Sequence, residues 1–180
     1  MTFGPGAASL SPEGAGQVTR LAAFLDRLPQ VTLRLTPVVA VVDSEALKAR
    51  ALEATLERLA RKARVSRDDA ARQLFAERFP GQPVPDTTEV VLGALREQTT
   101  LPADALAELA TQRLAAVRDA VRRAGIDTAR LIEVAVSEQA SGDDSRVEID
   151  IGEPGGPRRS TLRDALRRLG APLAGPEAHE

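Results

Sequence analysis

Three short stretches of this chain carry strand patterning, and the long span between the first two carries a helical period. That arrangement restricts it to a mixed α/β fold. Val31-Thr32-Leu33-Arg34-Leu35 alternates strictly and runs through Pro37 into the apolar Val38–Val42, which reads as a strand with a covered face. Leu131–Val136 reads as a second strand, and Arg146–Ile151, alternating charged with β-branched residues, as a half-exposed third. Helix signals fill the rest. Ser11 and Pro12 suit the cap and first position of a helix whose Val18, Leu21, Ala22, Leu25 and Leu28 share one face. A second helix is expected from Asp43-Ser44 to Ala63, and a third from a Ser66 cap through Leu74, Phe75 and Phe79 to Pro80-Gly81. The prolines of Gln82–Asp86 make a loop, and a short helix through Val90, Val91, Leu92 and Leu95 follows. The longest helix is expected from Pro102 to Ala124, ended by Gly125, and an Arg-rich helix from Ser160 to Leu169.

Only four Phe and one Met stand among the 180 residues, with no Trp, Tyr or Cys, so Leu, Val, Ile and Ala must build the core. The length suits one domain. Without Cys there are no disulfides, thiolate metal sites or cysteine nucleophiles. A net charge of −2 with both signs mixed throughout argues against a nucleic-acid partner. The apolar runs Leu21–Leu25 and Val38–Val42 fall far short of the about 20 residues a bilayer span needs, so no transmembrane segment is expected. The first residues lack the pattern of a signal peptide, which fits a cytoplasmic protein or a piece of a longer exported chain.

Catalytic signatures are wanting. The single histidine, His179, lies in a Pro/Ala tail, which rules out a His-based triad or a multi-His metal site. Gly142-Asp143-Asp144-Ser145 lacks the alternating ligands of a calcium loop and reads as a polar hairpin loop. No glycine cluster joins a strand to a helix start as a phosphate loop requires. Arg158, Arg159, Arg163, Arg167 and Arg168 form a local basic patch that reads as a solvated helix face. No catalytic residue, metal or cofactor is expected.

Phe3-Gly4-Pro5-Gly6-Ala7-Ala8-Ser9-Leu10-Ser11-Pro12-Glu13-Gly14 resembles the opening of an OmpA-like domain. The stretch Leu109–Val117 with Arg113, then Gly125-Ile126-Asp127 and Arg130-Leu131, resembles that family's Arg-bearing helix, turn and following strand. Arg146-Val147-Glu148-Ile149 resembles its closing strand. The resemblance covers residues 3–42 and 101–151. Residues 44–100 look like a helical insertion, similar to the C-terminal region of large AsmA-like periplasmic proteins of unknown function. It implies an α/β (α+β sandwich) domain over residues 1–151, with a β-α-β core of about three to four strands, helices on one face and an insertion at 44–100. Residues 152–180 would be a linker and an Arg-rich tail.

The resemblance also implies a periplasmic, non-catalytic binding domain. OmpA-like domains grip the diaminopimelate of peptidoglycan with an Asp after the second strand, which takes the ammonium, and an Arg of the long helix, which pairs with the carboxylate. Arg113 occupies the Arg position and Ala40 the Asp position, with Asp43 three residues on as a possible substitute. Losing the acid forfeits a charge-assisted bond worth about 1.5–3 kcal/mol. The simpler reading of Arg113 packs its stem beside Leu109 and Val117 with the guanidinium on solvent or an acid. Arg146, a further ligand-binding candidate, has a simpler reading as a strand start. The leading expectation is an interaction domain with a degenerate peptidoglycan groove, its partner a cell-envelope protein met by the inserted helices. The alternatives are weak peptidoglycan binding through Arg113 and Asp43, or a lipid- or protein-binding groove bordered by Phe75, Phe79, Val90 and Val91.

Overall fold

A computed structural model describes residues 1–134, 145–152 and 160–161. The elements run α1 (Pro12–Arg27), β1 (Thr32–Val38), α2 (Val41–Ala63), α3 (Arg67–Arg78), α4 (Thr88–Glu97), α5 (Ala105–Arg123), a 3₁₀ turn (Thr128–Arg130), β2 (Leu131–Glu133), β3 (Arg146–Gly152) and β4 (Ser160–Thr161). The fold is mixed α/β. Its sheet has the order β2-β1-β3-β4, with β1 parallel to β2 and antiparallel to β3.

Strand alternation decides which face of this sheet is covered. Leu33 and Leu35 are fully buried while Arg34 between them is exposed. Opposite them in register stand Ile151 and Ile149 of β3, and Val147 faces Pro37. This face meets α1 through Val18, Leu21 and Leu25 and α5 through Val117 and Val121, with Phe3 and Ile126 closing the cluster. Pro37 lacks an N–H, yet the β1–β2 register runs only from Leu33 to Leu35, so the proline falls past that ladder.

Local chemistry starts and stops the helices. Ser11 Oγ accepts the Gly14 N–H at the head of α1. At its other end, Arg130 donates to the carbonyls of Leu25, Leu28 and Val31, which ties the C-terminus of α1 to the start of β2. Ser66 caps α3, and Arg72 donates to the Pro85 and Asp86 carbonyls, pinning the proline loop. Helices α2, α3 and α4 pack on one another around a second core of Leu52, Leu56, Ala71, Leu74, Phe75, Val91 and Leu95.

Several expected boundaries differ. The apolar run Val38–Val42 is not one strand: β1 ends at Val38 and α2 begins at Val41, before the expected Asp43-Ser44 start. The helix starts early because Asp43, at its third position, reaches back to the Ala40 N–H and supplies the cap that Ala40 lacks. Helix α5 begins at Ala105, and Pro102 belongs to the turn before it, where its carbonyl accepts the Ala105 N–H. Ser160 and Thr161 pair with β3 instead of opening a helix. The remainder of that expected helix, the Arg patch, residues 135 and 136 of the expected second strand and Gly142–Asp144 lie outside the described residues.

Candidate functional site

The one fully buried pair of opposite charges among the described residues joins Asp43 to Arg113, and both side chains are 0% exposed. Helix α5 buries Leu109, Arg113, Val117 and Val121, successive residues four apart on a single stripe, so its helical period drives Arg113 inward with its apolar neighbours. Helix α2 presents Asp43 in its first turn, where the helix dipole favours an acid. The two meet side on. Arg113 Nη2 donates to Asp43 Oδ1 at 2.6 Å and Nη1 to Oδ2 at 2.9 Å, the bidentate geometry that a planar guanidinium offers a carboxylate.

Every remaining hydrogen-bonding position on the pair is taken by protein. Arg113 Nε donates to the Ala7 carbonyl, Nη2 to that of Gly4 and Nη1 to that of Val38, which uses all five N–H donors of the guanidinium. Asp43 accepts the Gly6 N–H at 2.8 Å, the Ala40 N–H at 3.0 Å and the Ser145 hydroxyl at 2.7 Å. The Phe3 ring lies under the guanidinium, its centroid 5.1 Å from Cζ. Burial pushes the Asp43 carboxyl up, but the bonds from Arg113, Ala40, Ser145 and Gly6 outweigh it and hold the pKa at about 2. The acid is therefore ionised across the physiological range.

Residues 4–7 cross directly over the pair. Met1, Thr2 and Phe3 run alongside the start of β3, where Phe3 N–H donates to the Ser145 carbonyl and the Val147 N–H to that of Met1. The chain then turns through Gly4-Pro5-Gly6, whose last carbonyl accepts from Arg50 of α2. Gly6 holds φ +60°, and a Cβ there would stand 2.9 Å from the Ala46 Cβ, so only glycine fits.

Of the residues singled out by sequence, Asp43 and Arg113 come together, and they do so with each other instead of flanking an open groove. Ala40 is 3% exposed and stands at the N-cap position of α2, where its N–H donates to Asp43. Arg146 stands one residue after Ser145, but its guanidinium donates to Glu148. Phe75 is a correction: it is 3% exposed, inside the second core, because α3 and α4 close over it against α2. Val91 is likewise buried. Phe79 stacks on Phe75 with ring centroids 4.6 Å apart and is partly buried, whereas Val90 is 56% exposed. The sequence reading missed Gly4, Gly6 and Ala7 as partners of the pair, and Ser145. The Gly-Pro-Gly turn was a usable signal for the first group; nothing local marks Ser145.

Outside this site, a groove of about 650 Å³ between α1 and α5 is floored by Ala15, Val18, Ala116 and Ala120. No helix among the described residues is long and apolar enough to cross a membrane. Searches of family models, curated proteins and solved structures return no match to this chain.

Proposed function

We propose that the chain is a non-catalytic interaction domain of the periplasm, the C-terminal part of a large AsmA-like envelope protein, built on an OmpA-like scaffold whose peptidoglycan grip is spent internally. The observation that carries this reading is the Asp43–Arg113 pair: both members are fully buried, and every N–H donor of Arg113 is already used. A ligand carboxylate would have to displace either Asp43, which leaves a buried charge unpaired at a loss on the order of 3–5 kcal/mol, or the main-chain carbonyls of Gly4 and Ala7 that cover Arg113. The partner surface then falls to the α2–α4 unit. It has its own core, against which Phe79 and Leu92 are partly buried, and it exposes Val90 of α4.

Mixing the folded domain with purified peptidoglycan sacculi tests this. Little retention in the pellet is expected. Strong retention that free diaminopimelate competes away would show a working cell-wall site and end the proposal in favour of weak binding through Arg113 and Asp43.

A further inference from the structure

Helix α4 turns one face to its core and leaves the other bare. Val91 and Leu95, two residues either side of position 93, are fully buried, so Gly93 stands at the centre of the opposite face. A Cβ added at Gly93 would meet nothing within 4 Å, so no packing inside the chain accounts for a glycine that weakens the helix relative to alanine. Gly16 of α1 is equally open, but its neighbours along that face, Glu13, Thr19 and Arg20, are polar and exposed. One turn before Gly93 stands Val90, which is apolar and exposed.

The charges on the bare face are complementary to themselves. Glu89 lies in the first turn of α4 and Arg96 in the last, seven residues apart and so on one flank of the helix. Both are exposed, and neither makes an ion pair among the described residues. An antiparallel copy of α4 crossing at Gly93 sets Glu89 of each chain beside Arg96 of the other. It also sets the N-terminus of each helix beside the C-terminus of the other, where the dipoles attract. The missing side chain at Gly93 lets the two backbones approach closely, with Val90 of each copy lying over the opposite helix.

We infer that α4 is a self-association element: a second copy of this chain docks on it, antiparallel, about a two-fold axis at Gly93. An isologous interface needs one patch that complements itself, which this face supplies. The inference takes from the proposed function only that the α2–α4 unit bears the partner surface, and it names the partner. With 10 residues, α4 is about 15 Å long. The interface therefore belongs to the small, transient class, with a dimer forming between micromolar and millimolar protein.

Sedimentation equilibrium of the full chain across that range tests this. The unaltered chain is expected to pass from monomer to dimer and no further. Gly93→Lys brings two ammonium groups together on the axis and is expected to weaken the dimer at least about tenfold, with no fall in the thermal midpoint of the dilute protein. Charge reversal reads the register. Glu89→Arg and Arg96→Glu are each expected to lose self-association, and an equimolar mixture of the two to recover a dimer, because each sets like charges against itself and opposite charges against the other. If a reversal variant does not fold, Gly93→Lys carries the test. A chain that stays monomeric at millimolar concentration overturns the inference, leaves the α4 face to a different protein and leaves the proposed function standing. A dimer that Gly93→Lys does not weaken, or two reversal variants that do not recover on mixing, also overturns it. Retention on sacculi ends the proposed function alone, and self-association through α4 then stands on the sedimentation result.

Discussion

Asp43 is the residue on which the chemistry of this fold turns, because it serves four segments at once. Its carboxylate caps α2 through the Ala40 N–H, holds the N-terminal segment through Gly6 and β3 through Ser145, and neutralises Arg113. With the folded pKa at about 2 against 3.8 for the ordinary group, the folded state binds fewer protons than the unfolded chain at intermediate acid pH. The sign follows. The stabilisation is complete above about pH 4 and is lost as the pH falls through the folded value, a contribution of about 2 kcal/mol. Urea unfolding of Asp43→Asn is expected to show a midpoint lower than the parent at pH 7 by the equivalent of about 3–5 kcal/mol, with the difference narrowing between pH 4 and pH 2. An unchanged difference across that range would mean that another group carries the acid sensitivity. Arg113 was legible as buried-stem material from its spacing with Leu109 and Val117. Its carboxylate partner was not, because the two are 70 positions apart and nothing in either neighbourhood encodes the other.

At the scale of elements, two helical glycines separate propensity from packing. Gly93 lies in α4 with nothing within 4 Å of an added Cβ, so Gly93→Ala is expected to raise stability by about 0.5–1 kcal/mol through helix propensity alone. Gly14 lies in α1, where a Cβ would stand 2.6 Å from the Thr2 carbonyl oxygen, a backbone atom that cannot swing aside. Gly14→Ala is therefore expected to lower the thermal midpoint despite the same gain in propensity, and a rise would show that the N-terminal segment does not hold its place against α1. Element boundaries follow the same division. Helices α1 and α3 start where Ser11 and Ser66 announce them, because a capping hydroxyl acts on amides two or three residues away. The start of α2 carries no such signal, because Val41 and Val42 are β-branched and apolar, Ala40 at the cap has no polar side chain, and the group that compensates, Asp43, lies inside the helix.

For the whole molecule, the separation of the two cores predicts uneven stability. Leu56 is fully buried among α2, α3 and α4 and has no part in the cluster beneath the sheet. Leu56→Ala is expected to cost about 2–5 kcal/mol and to raise amide exchange across α3 and α4 well before β1 and α1. Uniform loss of protection would show a single cooperative unit. The sequence by itself determined the helices with local caps, the alternating strands and the reliance on Leu, Val, Ile and Ala, because those properties are set within a turn or two of chain. The tertiary structure alone decided that Asp43 and Arg113 face each other, that Gly4–Ala7 cover them and that Phe75 belongs to a core. The reason is physical: a charge is tolerated at zero exposure only where distant segments bring every hydrogen bond it needs, and no local pattern records that meeting.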